Sequence, residues 1–160
     1  MTQQHLSVYL NDHLAGSSGA LEILDHLRQI EGLADWVETM RDAITQDRQE
    51  LEALMARAGI TQSAARQAAA WMAEKLAELK TWLDDRERGA LARLELLEAL
   101  AMGIDGKSAL WKSLRAASAH VPALDGVDYA RLIQRASEQR AAVEIPRIEA
   151  ALAALAPRVR

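Results

Sequence analysis

One hundred and sixty residues with 19 Lys+Arg against 23 Asp+Glu make one domain's length of chain with a formal charge of −4. Half the residues are hydrophobic, and 32 Ala and 23 Leu so outnumber the 19 Val, Ile and Thr that an all-α fold is expected rather than a sheet. Cys is absent, which excludes disulfides, thiolate zinc sites, iron–sulfur clusters and thiol nucleophiles. The first Lys or Arg is Arg28 and the longest apolar run is 150–156, so neither a signal peptide nor a membrane span is expected. Scattered basic residues on a mildly acidic chain leave no nucleic-acid footprint, and the expected setting is cytoplasmic.

A first helix is predicted over residues 4–31, where Leu6, Leu10, Leu14, Leu21, Leu24, Leu27 and Ile30 share one broad face. Gly32 ends it, since glycine takes a left-handed cap without steric cost. A second helix over 33–58 carries Leu33, Trp36, Val37, Met40, Ile44, Leu51, Leu54 and Met55, and Gly59 stops it. So short a link packs the two antiparallel. A third helix opens at Thr61 or Ser63 and presents Ala65, Ala69, Met72, Leu76, Leu79 and Leu83. The run 84–89 breaks that pattern. Residues 90–102 form a shorter helix whose leucines at 91, 94, 96, 97 and 100 point almost all round it. Gly103 and Gly106 bracket a further break, and Asp105 caps a segment to 119. Residues 120–125, with Pro122, form a loop. The last helix starts near Asp125 or Asp128 and runs toward 156, burying Tyr129, Leu132, Ile133, Ala136 and Val143. Pro146 predicts a kink or brief break, beyond which Ile145, Ile148, Leu152 and Leu155 occupy another face. The expected fold is one all-α domain, 1–160. It is an elongated up-down bundle of four long helices, with 90–119 a broken fifth helix or a crossover.

Polar residues inside the apolar stripes are the informative ones, because a buried polar group must find a partner. His13 falls in the first stripe, Asp47 in the second, Glu98 between Leu91 and Leu94, and Gln139 and Arg140 beside the last. These five are read as a buried polar network in which Asp47 meets Arg140, His13 or the Tyr129 hydroxyl. The competing reading takes His13, Asp47 and Glu98 as ligands to manganese, iron or zinc inside the bundle. Glu22 and His26, four apart, point away from His13 and read as a solvated pair. The small residues 15–20 suit close approach of a neighbouring backbone, or a ligand groove beside Gly16 and Gly19. Trp71, Lys75 and Trp82 share a flank of the third stripe, as core-edge packing or a subunit interface.

Tyr9-Leu10-Asn11-Asp12-His13-Leu14-Ala15-Gly16, with Leu21-Glu22-Ile23-Leu24, resembles the opening helix of small bacterial ferritin-like proteins, and Gln46-Asp47-Arg48-Gln49-Glu50-Leu51 is similar to their second. Di-iron members of that superfamily carry two Glu-x-x-His pairs. Here the residues three before His5, His13, His26 and His120 are Thr2, Leu10, Ile23 and Ala117. The resemblance therefore implies a member without the di-iron centre, to which ferroxidase or oxygenase activity does not carry over.

No other catalytic pattern is present. Gly103-Ile104-Asp105-Gly106-Lys107-Ser108 ends in Gly-Lys-Ser but lacks the P-loop spacing and a preceding strand. The expectation is a non-catalytic helical bundle without a cofactor, acting through protein association as a homo-oligomer. A metal-binding bundle and a small-molecule binder at the Gly16/Gly19 groove are the alternatives.

Overall fold

The computed structural model describes residues 2–63 and 89–156. Within them lie four α-helices, α1 (Thr2–Leu27), α2 (Ala34–Arg57), α3 (Gly89–Ser118) and α4 (Tyr129–Leu155), and a 3₁₀ turn at Pro122–Leu124. The stripe expected from Ala65 to Leu83, with Trp71, Lys75 and Trp82, lies outside the described residues.

Two expected breaks are absent. α3 runs unbroken for 30 residues through Gly103 and Gly106, so 90–119 is one full-length bundle helix, neither a fifth broken piece nor a crossover. α4 likewise continues through Pro146. The proline has no N–H to give to the carbonyl four residues earlier, which belongs to Ala142. The indole Nε1–H of Trp36, on α2, donates to that carbonyl at 3.2 Å. A neighbouring helix thus supplies the missing donor, and the helix persists. Gly59 does close α2 as expected, with a positive φ of 65°, whereas Gly32, at φ 81°, lies at the far end of the turn that follows α1. α1 stops at Leu27 rather than 31, and residues 28–32 form the turn. Asp128 caps α4, its side chain accepting from the Arg131 N–H.

The core has two parts. One gathers Ile23, Leu24 and Leu27 of α1 with Val37, Met40 and Ile44 of α2, Leu94 to Ile104 of α3, and Val143 and Ala150 of α4. The other gathers Leu10 and Leu14 with Leu51, Leu54, Met55 and Ile60, then Leu110, Trp111, Leu114, Leu124, Tyr129 and Leu132. The order of residues between these two ends fixes direction. α1 and α4 run one way, α2 and α3 the other, so α2 ends in the part of the core opposite to that where α3 begins. Asn11 ties the start of the intervening chain to α1. Its amide donates to the Ser7 and Thr61 carbonyls at 2.9 and 3.3 Å and accepts from the Ser63 N–H at 2.8 Å.

Candidate functional site

A polar layer lies between the two apolar clusters. Asp47 sits on α2 between Ile44 and Leu51, and its side chain is 3% exposed. Arg135 Nε donates to one carboxylate oxygen at 2.6 Å, and its Nη2 closes on the same oxygen. Lys107 Nζ and the Gln139 amide, the latter at 2.9 Å, donate to the other oxygen. Lys107 also donates to the Gln139 carbonyl oxygen. Three helices therefore meet on one carboxylate, and two cations share a single formal negative charge. Burial lowers the Lys107 pKa below its ordinary 10.5, and Asp47 offsets this only in part.

The expected network is thus met in one pair, Asp47 with Gln139, and differs elsewhere. Arg140 sits on the other flank of α4, facing Asp105 at 3.4 Å and Glu144 at 2.9 Å. With Arg147, it holds the Glu144 carboxyl down at about 2. Glu98 is not buried: it stands on the exposed side of α3, 3.6 Å from Arg147. Tyr129 gives its hydroxyl hydrogen to the Leu124 carbonyl at 2.7 Å and leaves Asp47 alone. His13 is half-buried, its ring edge-on to Tyr9 at 4.7 Å between centroids. Among the described residues no group of three or more His, Asp or Glu is arranged to hold a metal, and the Asp47 oxygens are already occupied by cationic and amide donors.

Lys107 and Arg135 are the two members of the layer that the sequence does not single out. Taking Gly103 and Gly106 as a break hid the register that puts Gly103, Lys107 and Trp111, each four apart, on one helix face. Arg135 is four before Gln139, so the two project from the same side of α4.

Beside this layer lies a cavity of about 200 Å³ between α1, α2 and α3. α1 contributes His13, Gly16, Ser17 and Ala20, and α2 contributes Ile44, Asp47, Arg48 and Leu51. α3 contributes Ala99, Gly103, Gly106, Lys107, Leu110 and Trp111. Exposed Asp12, Gly16 and Gly103 mark its mouth. The small side chains leave the room: a Cβ built on Gly16, Gly103 or Gly106 meets nothing within 4 Å. No close backbone approach requires these glycines, although each costs a helix about 0.8–1.0 kcal/mol relative to Ala. Gly106→Ala is accordingly expected to raise stability by about 0.8–1 kcal/mol, read as a higher urea midpoint at unchanged slope. Trp111 forms part of the wall, is 1% exposed, and its indole Nε1–H has no acceptor among the described residues. Such an orphan donor is uncommon and costly in a folded interior.

Burial lowers the His13 pKa below 6.5, the neighbouring Asp12 charge opposing the shift. A base with a depressed folded pKa binds fewer protons folded than unfolded once the pH drops below 6.5. Stability therefore falls from pH 6.5 down to the lowered value and is insensitive to His13 above it. Urea midpoints at pH 7 and pH 5 are expected to differ less in His13→Asn than in the wild type.

Comparison with known protein families, curated proteins and solved structures finds no match to this chain. Among the described residues, no helix is long and apolar enough to cross a membrane.

Proposed function

We propose that this protein is a helical bundle that binds a small, largely apolar molecule in the α1/α2/α3 cavity. The observation that carries the reading is the cavity itself, about 200 Å³ between three helices. The glycines at helix-interior positions 16, 103 and 106 support it, since they keep open a space that alanine would narrow. A ligand-sized cavity lined mainly by apolar groups with a few polar ones is the usual form of a small-molecule site. The ferritin-like layout belongs to the same proposal. Its support is the helix order: antiparallel pairs α1/α2 and α3/α4, with α2 and α3 running the same way.

Selective binding to the folded form raises the melting temperature. Hexanol is the first probe, an apolar chain with one hydroxyl acceptor. It is expected to raise the melting temperature of the wild type and to leave Gly106→Leu, in which the cavity is filled, unmoved. Equal shifts in both proteins, or none in the wild type up to millimolar hexanol, contradict the reading.

A second reading, association with a second copy of the chain, has its own observation. Ile145, Ile148, Leu152 and Leu155 are 70%, 45%, 65% and 69% exposed. Their 3-4-3 spacing is that of a coiled-coil seam, which an identical helix can match. Light scattering during size exclusion is expected to give a dimer at tens of micromolar and a monomer for Leu152→Glu. A wild-type monomer throughout that range rejects self-association.

A further inference from the structure

We infer that Lys107 is a nucleophilic amine in the cavity wall, and that it takes up a small apolar aldehyde as an iminium adduct. This inference rests on the small-molecule reading of the cavity and adds the functional group of the ligand.

Lys107 of α3 and Asp47 of α2 both line the cavity, and the Lys107 Nζ meets the Asp47 carboxylate. Arg135 and Gln139 of α4 join the same carboxylate, yet no described residue of α4 lines the space. The Asp47–Lys107 contact therefore closes the cavity on its α4 side. The Lys107 side chain keeps 15% of its surface exposed. Arg48, the other basic residue of the wall, is engaged by Glu52 at 2.9 Å and by the Ser17 and Ser18 hydroxyls.

Charge favours the free amine. Asp47 carries one negative charge, and Arg135 alone matches it. With Lys107 as an ammonium the buried cluster holds one positive charge in excess, and with Lys107 as an amine it is neutral. Uncompensated buried charge is expensive. Burial lowers the Lys107 pKa, Asp47 opposes the shift, and the Arg135 charge adds to it. Desolvation in an apolar pocket and a second cation nearby are the two ways a lysine becomes a nucleophile toward carbonyl compounds. The cavity lining itself is balanced, Asp12 and Asp47 against Arg48 and Lys107, which suits an uncharged guest. A 150 Å³ apolar cavity can hold benzene, so about 200 Å³ suits roughly eight non-hydrogen atoms.

The step needs no co-reactant. Lys107 passes one proton to Asp47, and its nitrogen lone pair forms a C–N bond to the aldehyde carbon while the carbonyl π pair moves to oxygen. That oxygen takes one proton from the nitrogen and the other back from Asp47, and it leaves as water. The product iminium carries the same single positive charge as the original ammonium, so Asp47 keeps its counter-ion.

Hexanal with sodium cyanoborohydride is the probe, applied to the full chain. Hydride from the reagent turns the iminium into a stable secondary amine, which peptide mass spectrometry locates. Lys107 is expected to be labelled at least tenfold faster than Lys112, which is exposed further along α3. Excess hexanol is expected to slow labelling of Lys107 and to leave Lys112 unchanged. Gly106→Leu, with the cavity filled, is expected to lose the Lys107 label and keep that on Lys112. Should Gly106→Leu fail to fold, competition by hexanol in the wild type still decides the matter. Labelling of Lys107 no faster than Lys112, or unaffected by hexanol, in a protein whose melting temperature hexanol raises, overturns the amine assignment and leaves the cavity reading standing. No preference for Lys107 together with no hexanol shift overturns both.

Discussion

Asp47→Ala is expected to lower the stability of the fold by about 3–5 kcal/mol. The side chain is 3% exposed and receives Lys107, Arg135 and Gln139 at once. Removing it leaves two cations facing one another without a counter-ion, and the Gln139 amide loses its acceptor. Neither cation escapes easily, as their side chains are only 15% and 19% exposed. Urea unfolding followed by circular dichroism reads the loss directly. Lys107→Met is expected to cost less than Asp47→Ala, because one carboxylate and one guanidinium remain matched. A loss below about 1 kcal/mol for Asp47→Ala would place this group with surface ion pairs.

Trp36→Phe carries the second large expectation, a loss of about 1–2 kcal/mol from a hydrogen bond between helices. The indole N–H serves the Ala142 carbonyl that Pro146 cannot serve. Phe keeps much of the packing and removes the donor. In a Pro146→Ala background residue 146 has an N–H for that carbonyl, so the same Trp36→Phe change is expected to cost about 1 kcal/mol less. Strict additivity of the two substitutions in a double-mutant cycle would show that tryptophan and proline are not coupled through this carbonyl.

The pair also shows where the sequence speaks and where it stays silent. Helical class, the glycine stop at 59, and the inward direction of Asp47 follow from composition and period alone. The continuity of α3 and α4 does not. Two glycines or a proline disfavour a helix locally by amounts that tertiary packing easily exceeds, and the compensating contact for Pro146 comes from a residue 110 positions away in the chain (146 − 36). The remaining differences follow from the faces of these two helices. With 90–102 treated as an isolated helix, its leucines define no single inward face, and Glu98 can be placed inside. With the full α3, Leu100, Ile104, Trp111 and Leu114 set the inward direction and put Glu98 on the opposite side. On α4, Leu132, Ala136, Val143 and Ala150 centre the buried face so that Gln139 and Arg135 fall on one flank and Arg140 on the other. The Gly16 end of the expected groove does lie at the cavity mouth, but its far wall is made by the α3 glycines expected to bracket a break.

The polar layer and the cavity are one arrangement. Glycines open a space between three helices, and the neighbouring carboxylate is outnumbered by cations. Filling the space with side chains would stabilise the helices, and matching the charges would stabilise the core. The chain does neither, which supports the proposed binding role of the cavity.

Intermolecular nuclear Overhauser effects with bound hexanol test this account most directly. Contacts are expected from the hexanol methylenes to the methyl groups of Ile44 and Ile104. Contacts confined to Ile145, Ile148, Leu152 and Leu155 would place the molecule on the exposed seam of α4 and contradict it.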